Sequence, residues 1–187
     1  MAKYLNSLIN HQHIYQNAVY RHSPHFNQRP EKIAISLLVI HCISLPEGQF
    51  GLNHIDDLFL GCINCNAPPD FNDLAGLEVS AHILIRRDGQ VIQYVPFDKR
   101  AWHAGVSEFN GVPNCNDFSI GIELEGCDNL AYEDIQYKTL AELTKEIQIR
   151  YPDITQQRIV GHSDIAPGRK TDPGKAFDWE HYFSLID

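Results

Sequence analysis

The sequence predicts a single α+β domain, built as a central mixed β-sheet flanked by helices. Strand-like and helix-like segments alternate along the chain, which is typical of a sheet with helices packed on it. One pair of strand-like segments is separated by Asp88-Gly89, a dipeptide that favours a tight hairpin and therefore an antiparallel pair. With 187 residues, 43% of them hydrophobic, the chain has the length and the apolar content for one such core.

Five segments are predicted to be strands. Residues 33–40 form an almost continuous apolar run, as in a strand that is buried on both faces. Residues 79–86 and 90–95 are the two arms of the predicted hairpin. Residues 118–124 (FSIGIEL) and 154–160 complete the predicted strands.

Two segments are predicted to be helices. Residues 133–150 place Leu140, Leu143 and Ile147 on one helical face, and Pro152 prevents the helix from continuing. Residues 178–186 are predicted to form a short closing helix.

The remaining segments are predicted to be loops or an arm. Residues 44–76 and 104–117 are rich in turn-forming residues, and irregular segments of this length are often binding surfaces. Residues 1–29 are expected to be an N-terminal arm packed on a domain formed by residues 30–187. The histidines of this arm, where no site residues converge, are expected at the surface: His11, His13, His22 and His25.

Charge and composition exclude several classes of partner. The formal net charge of -9 opposes binding to nucleic acid or to an anionic membrane surface. The best apolar run is about a third of the length needed to span a bilayer. The N-terminal residues lack the pattern of a secretory signal, and the five cysteines do not suggest a disulfide framework. We therefore expect a cytoplasmic protein with no membrane, nucleic-acid or obligate protein partner.

Three polar residues lie in or just after predicted strands, at positions where a buried strand would usually carry apolar residues. His41 directly follows the predicted strand at 33–40, and Glu123 lies inside IGIELEG among apolar neighbours. His162 follows RIVG and opens the segment GHSDIAPGRKTDPG, in which glycines and prolines shape a loop. Such a loop could direct His162 and Asp172 toward one point.

Together with His41, this loop would supply two imidazoles and one carboxylate. Three protein ligands with a fourth position open to water are typical of a catalytic zinc site. Taken one at a time, each histidine could equally be a satisfied core or surface residue, and Asp172 could be a turn residue before a proline.

Four segments resemble a known family: SIGIELEG, AWHAG, SAHILIRRDG and GHSDIAPGRKTDPG. They are similar to the zinc-dependent N-acetylmuramoyl-L-alanine amidases of the amidase-2 family, which is related to T7-type lysozyme and the peptidoglycan recognition proteins. The resemblance extends from about residue 30 to the end. Many relatives place cysteine where this chain has Asp172, whereas aspartate is typical of the branch that recycles 1,6-anhydromuramyl peptides in the bacterial cytoplasm.

The resemblance implies a role for each residue of the predicted site. His41, His162 and Asp172 would bind Zn²⁺, Glu123 would be the general base, and Lys170 would stabilise the oxyanion. The apolar neighbours of Glu123 in the sequence, Ile122 and Leu124, are expected to raise its pKa. The bond cleaved would join the lactyl group of muramic acid to the L-alanine of the stem peptide in a muropeptide.

Other positions are weaker candidates. Trp102, His103 and Arg86 are predicted to contact substrate, although Trp102 could be a core residue and Arg86 a solvated one. His82 is predicted to be a buried structural residue. Cys42, next to His41, is predicted to point to the opposite face of its strand because successive residues alternate.

Two alternative functions remain open at this point. The same reaction could act on intact peptidoglycan, or the domain could bind peptidoglycan without catalysis. The second alternative usually involves loss of a zinc ligand, and here all three positions are filled.

Overall fold

The computed structural model describes residues 7–66 and 69–186. Its strands are, in chain order, β1 (Val19–Tyr20), β2 (Phe26–Gln28), β3 (Leu37–Ile43), β4 (Ile83–Ile85), β5 (Val91–Gln93), β6 (Lys99–Ala101), β7 (Glu108–Phe109), β8 (Val112–Pro113), β9 (Ser119–Glu125) and β10 (Ile159–Gly161). Its α-helices are α1 (His54–Phe59), α2 (Asp134–Arg150), α3 (His162–Ile165) and α4 (Trp179–Ile186).

The main sheet has six strands in the order β1-β5-β4-β9-β3-β10. Strands β4, β9, β3 and β10 are parallel neighbours, whereas β5 runs antiparallel to β4. The predicted mixed sheet is therefore confirmed. Two small antiparallel pairs, β2 with β6 and β7 with β8, lie outside the main sheet.

The predicted hairpin is formed by β4 and β5. Ile85 pairs with Val91, and Gly89 in the connecting turn has φ +84°, a left-handed conformation that glycine adopts without strain. The long helix also agrees with its prediction. The Gln136 side chain accepts a hydrogen bond from the Glu133 backbone N–H (3.1 Å), which fixes the start of α2.

Several strand predictions need correction. The hairpin arms predicted at 79–86 and 90–95 are strands only at Ile83–Ile85 and Val91–Gln93. The run at 33–40 becomes a strand only from Leu37, and β3 then continues to Ile43, so His41 lies inside the strand and does not follow it. The segment 154–160 is a strand only at its end, because Gln156–Arg158 form a 3-10 turn before β10. Apolar content along the chain could not predict these ends, because a strand begins only where a neighbouring strand can hydrogen-bond to it. That neighbour is β9 for β3 and β3 for β10.

The two faces of the sheet have different environments. One face carries Ile40, Ile122 and Leu124, fully buried in a cluster that includes the apolar side of α2 and residues of α4. The opposite face carries two separate apolar clusters, one containing Leu84 and Phe59 and the other containing six core residues. That second cluster consists of Leu37, Val39, Ala104, Cys115, Phe118 and Ile165. A polar strip is left between the two clusters on this face.

The N-terminal segment contributes strands to the fold. Val19 of β1 pairs with Ile92 of β5, which places β1 at one edge of the main sheet. His25 is only 8% exposed and its ring lies 6.1 Å from that of Trp102, so its predicted surface position is wrong. The boundary at residue 29 stays a prediction, and residues 1–6 of the predicted arm lie outside the described residues.

The segment predicted as a loop at 44–76 is partly helical. It contains α1 and a 3-10 turn at Pro69–Leu74, while residues 67 and 68 lie outside the described residues. The sequence prediction missed α1 because it has six residues, too few for a clear helical period. No helix among the described residues has the length and apolar character needed to cross a membrane.

A buried polar network attaches α1 to the sheet. Asp56 of α1 is 2% exposed, accepts hydrogen bonds from the Tyr94 hydroxyl (2.5 Å) and Arg86, and forms an ion pair with Arg21 (2.8 Å). Arg86 also pairs with Glu125 of β9 (3.2 Å). Each buried charge therefore has an opposite charge beside it, which offsets the cost of desolvation.

This network predicts the effect of removing its central cation. Arg86→Met should lower the free energy of unfolding by about 3 kcal/mol, because it leaves Glu125 and part of Asp56 uncompensated in the interior. The adjacent Arg87, whose partner Glu133 is 55% exposed, supplies the control. Arg87→Met should cost less than about 1 kcal/mol. Urea unfolding of both variants measures the difference, and equal losses would contradict the network's role.

Candidate metal centre and active site

The pairing of three parallel strands assembles the site. β3 pairs with β9 so that His41 is opposite Glu123. β10 lies on the other side of β3, with Gly161 opposite Ile40, so that His162 directly follows beside His41. The two histidines and the glutamate therefore meet on the polar strip of the sheet.

Asp172 reaches the two histidines from the loop after α3. Its Oδ2 atom lies 3.0 Å from Nδ1 of His41 and 3.0 Å from Nδ1 of His162. The two Nδ1 atoms are also 3.0 Å apart. The Asp172 carbonyl accepts a hydrogen bond from the Ser163 N–H (3.0 Å), which holds the loop against α3.

The spacing of Nδ1 of His41, Nδ1 of His162 and Oδ2 of Asp172 fits the binding of one divalent metal ion. Nε2 of His162 lies 3.0 Å from the carbonyl oxygen of Ala104, which can only accept, so Nε2 carries the proton and Nδ1 presents a lone pair. Ligand atoms about 2.1 Å from a tetrahedral zinc ion lie about 3.4 Å from one another, close to the spacing found here. Among the described residues, His41, His162 and Asp172 are the group of metal-ligating side chains that converges in this way.

Burial and mutual contacts shift the pKa values of His41 and Asp172 in the same direction, for different reasons. Desolvation lowers the pKa of His41 to about 4, which keeps the imidazole neutral. Burial alone would raise the pKa of Asp172, but its contacts with His162 and His41 hold that pKa below its usual range. Neutral imidazoles and an ionised carboxylate are the forms that bind metals.

Glu123 lies beside this group in an unusual environment. Its Oε2 atom is buried and has no hydrogen-bond partner. Burial and then the charge of Asp172 raise the pKa of Glu123 well above its usual value, while Lys170 acts in the opposite direction. The predicted cause was Ile122 and Leu124, but both pack on the opposite face of the sheet. The desolvation therefore comes from groups packed on its own face, which the linear sequence does not reveal.

Two adjoining cavities open at the site. A polar one of about 440 Å³ is lined by residues that include Asp128, Arg169, Lys170 and Asp172. A less polar one of about 240 Å³ is lined by Glu123, His162 and Trp102, and by the apolar side chains Leu45, Leu58, Phe59, Leu74 and Leu77. Asp172 and the exposed Lys170 line both, so the metal-ligand group stands where the two cavities meet.

The weaker candidates fall into different places. Trp102 is half-buried and lines the less polar cavity, where contact with substrate stays a prediction. His103 also borders this cavity, but its Nδ1 lies 2.9 Å from Nε2 of His41. Arg86 is not brought to the site, because the network with Asp56 and Glu125 holds its guanidinium. His82 is fully buried and accepts a hydrogen bond from the Gly121 N–H, as expected of a structural histidine.

Cys42 packs against the cluster on the face opposite His41, as the alternation of side chains predicts. Its thiol donates to Oδ1 of Asp128 at 3.6 Å, and burial raises its pKa. A thiol that stays protonated is a poor competitor for a metal ion.

The sequence did not predict the groups that position His162. One is the Ala104 carbonyl oxygen, which lies 3.0 Å from Nε2 of His162. The other is Arg169, which donates to the carbonyl oxygens of Ala104 (2.7 Å) and Val106 (2.6 Å) and so fixes this loop beside the histidine. A backbone carbonyl has no sequence signal, and Arg169 differs from a solvated loop cation only through its tertiary contacts.

Two imidazoles and a carboxylate that converge beside a carboxyl group of raised pKa are an arrangement found in metal-dependent hydrolases. The profile of the N-acetylmuramoyl-L-alanine amidase family (Amidase_2) matches residues 28–175. The chain belongs to this family.

Curated relatives and solved structures agree with this assignment. The chain is 58% identical over 164 residues to the 1,6-anhydro-N-acetylmuramyl-L-alanine amidase AmpD of Escherichia coli K12, covering 88% of this chain and 89% of that protein. The crystal structure of a selenomethionine AmpD derivative superposes with a TM-score of 0.92 at 55% identity, covering 94% of this chain and 98% of that one.

A more distant structure contains a ligand. It is the complex of the E. coli amidase AmiD with its substrate anhydro-N-acetylmuramic acid-L-Ala-D-γ-Glu-L-Lys. It superposes with a TM-score of 0.59 at 30% identity, covering 84% of this chain and 60% of that one.

The raised pKa of Glu123 predicts a pH-dependent stability for the metal-free protein. Above the usual glutamate pKa the unfolded chain releases this proton while the folded protein retains it. The free energy of unfolding should then fall as pH rises, by up to about 1.4 kcal/mol per pH unit, until the folded-state pKa is passed.

Glu123→Gln should remove this component of the pH dependence. The chelator-treated variant should be more stable than the chelator-treated wild type at pH 7, and the difference should shrink toward pH 4. Urea unfolding midpoints across this range measure the effect. Parallel curves for the two proteins would show that Glu123 ionises normally.

Proposed function

We propose that this chain hydrolyses the amide between the lactyl group of 1,6-anhydro-N-acetylmuramic acid and L-alanine, with Zn²⁺ held by His41, His162 and Asp172. The observation that carries the proposal is the convergence of these three ligand atoms, 3.0 Å apart, beside the unpartnered carboxyl group of Glu123. The name of the E. coli AmpD relative supports the substrate, and we place the reaction in cytoplasmic peptidoglycan recycling.

The metal supplies one part of the chemistry. When bound, zinc would polarise the amide carbonyl and acidify the attacking water, in the coordination position that the three protein ligands leave open. The donor set of two imidazoles and one carboxylate is among those that zinc enzymes use.

Glu123 and Lys170 supply the rest. Glu123 accepts the proton of the attacking water and passes it to the departing amine of L-alanine. A carboxyl group whose pKa is raised above the usual glutamate value exchanges a proton with water and amines more readily than an exposed one. The ammonium group of Lys170 donates to the oxyanion of the tetrahedral intermediate, where negative charge develops.

The two cavities suggest how a muropeptide would lie. The peptide, with its charged groups, suits the polar cavity that contains Arg169 and Lys170. The sugar suits the less polar cavity, where the Trp102 indole can pack against a sugar ring. The scissile amide would then lie at the junction, beside Asp172.

Mass spectrometry of products from a defined anhydromuramyl-tripeptide tests the reaction. We expect free tripeptide and anhydromuramic acid from the zinc-loaded protein and no turnover after verified metal removal. Activity should return on addition of zinc. Turnover by the demetallated protein would contradict the metal-dependent mechanism. Comparable cleavage of intact sacculi would favour the alternative of an amidase that acts on the cell wall.

Substitutions separate the two catalytic groups from metal binding. Glu123→Gln should lower kcat by about 10²–10⁴-fold and Lys170→Met by about 10²–10³-fold, with zinc still bound at one equivalent. Lys175→Met, at another exposed lysine of the same loop, is the control and should leave kcat unchanged. Unchanged kcat in the Glu123 variant would remove that residue from the mechanism.

A further inference from the structure

His103 contacts His41 on the side away from the other two ligands. Nδ1 of His41 faces His162 and Asp172, and Nε2 of His41 lies 2.9 Å from Nδ1 of His103. The two rings are nearly perpendicular, with an interplanar angle of 86° and centroids 5.0 Å apart. His103 is therefore placed to determine which nitrogen of His41 carries the proton.

The second nitrogen of His103 lies 3.1 Å from the Ser119 hydroxyl oxygen. If the Nε2–H of His103 donates a hydrogen bond to the Ser119 hydroxyl oxygen, Nδ1 of His103 carries a lone pair. It can then accept a hydrogen bond from the Nε2–H of His41. The lone pair of His41 is then on Nδ1, directed at the metal position. The reverse direction would put a proton on Nδ1 of neutral His41, where it would block the metal. Only the first arrangement is compatible with metal binding.

Ser119 is held rigidly enough to anchor this arrangement. The residue is fully buried in β9, and its carbonyl accepts a hydrogen bond from Arg29 (2.7 Å). The same guanidinium donates to the carbonyl oxygens of Phe97 (3.1 Å) and Asn116 (3.0 Å). Side-chain amide oxygen Oδ1 of Asn116 accepts from the backbone N–H of His103 (3.2 Å).

Gly121 provides the space for the His103 ring. A Cβ atom at this position would lie 2.5 Å from both Cγ and Nδ1 of His103, far closer than packed atoms approach. The backbone of Gly121 has no left-handed conformation, so the requirement is for space. Any side chain here would displace the ring that contacts His41.

From these contacts we propose that His103 is a positioning residue for the metal centre. Its Nδ1 accepts a hydrogen bond from the Nε2–H of His41, so that the Nδ1 lone pair of that ligand is directed at the metal. The Ser119 hydroxyl oxygen accepts a hydrogen bond from the Nε2–H of His103, and Gly121 leaves room for the ring. The proposal rests on the metal site proposed above and replaces the substrate contact predicted for His103 from the sequence.

Zinc affinity tests the proposal independently of amidase activity. His103→Leu removes the acceptor at similar size and should weaken zinc binding by about 10–100-fold. His103→Asn keeps an oxygen acceptor near the position of Nδ1 and should recover most of that loss. Ser119→Ala should give a smaller loss. His22→Leu, at an exposed histidine, is the control. Competition with a chelating dye measures each Kd.

A double-mutant cycle tests the role of Gly121. Gly121→Ala should weaken zinc binding in the wild-type background, although it removes no polar group. In a His103→Ala background, where the ring is absent, the same change should have no further effect. Equal losses in both backgrounds would show that Gly121 acts on the metal site by another route.

Nitrogen-15 NMR of the metal-free protein reports the tautomer directly. The His41 ring should carry its proton on Nε2 in the wild type, and the signal should shift toward a mixture of tautomers in His103→Leu. Should His103→Leu unfold, Ser119→Ala and His103→Asn still carry the test. Unchanged zinc affinity and an unchanged His41 tautomer in the folded variants would overturn this proposal alone. A wild-type protein that binds no zinc would overturn it together with the metal site.

Discussion

The parallel register between β3 and β9 is the constraint on which the active centre depends. It sets His41 opposite Glu123, and the pairing of β10 with β3 then brings His162 to the other side of His41. A slip of one residue would turn His41 toward the core beneath α2. The register is fixed by the opposite face, where Ile40 and Ile122 are fully buried, so the packing of the core positions His41 and Glu123.

The same burial has opposite effects on the pKa values of neighbouring groups. Desolvation lowers the pKa of His41 and raises that of Glu123, so that each favours its neutral form. Asp172 is partly exposed and contacts two imidazoles, which keeps it ionised. A neutral imidazole, an ionised carboxylate and a carboxyl group of raised pKa thus lie side by side, formed by ordinary side chains alone.

The apolar wall of the cleft depends on a polar interaction elsewhere. Leu58 and Phe59 line the less polar cavity and belong to α1, which Asp56 attaches to Arg86 and hence to Glu125 in β9. Glu125 and Glu123 are two residues apart on one face of the same strand, so a single strand supplies both the reactive carboxyl group and the anchor for the cleft wall. Arg86 therefore supports the site from a distance.

The sequence determined the mixed sheet, the hairpin at Asp88-Gly89 and the helix α2, because local periodicity and turn chemistry are written along the chain. Its motifs also singled out His41, His162 and Asp172, which the structure brings together, and Glu123 and Lys170, whose catalytic roles stay predictions. It could not determine the surroundings of Arg86 and His103, because a hairpin arginine and a histidine in a loop make contacts with residues far away in the chain. These are Asp56 for Arg86, and His41 and Ser119 for His103. The short helix α1 and the true start of β3 were likewise decided by tertiary contacts. Long-range packing, which local sequence does not encode, decided the surroundings of His41, Glu123 and Asp172 and therefore the direction in which the pKa of each is shifted.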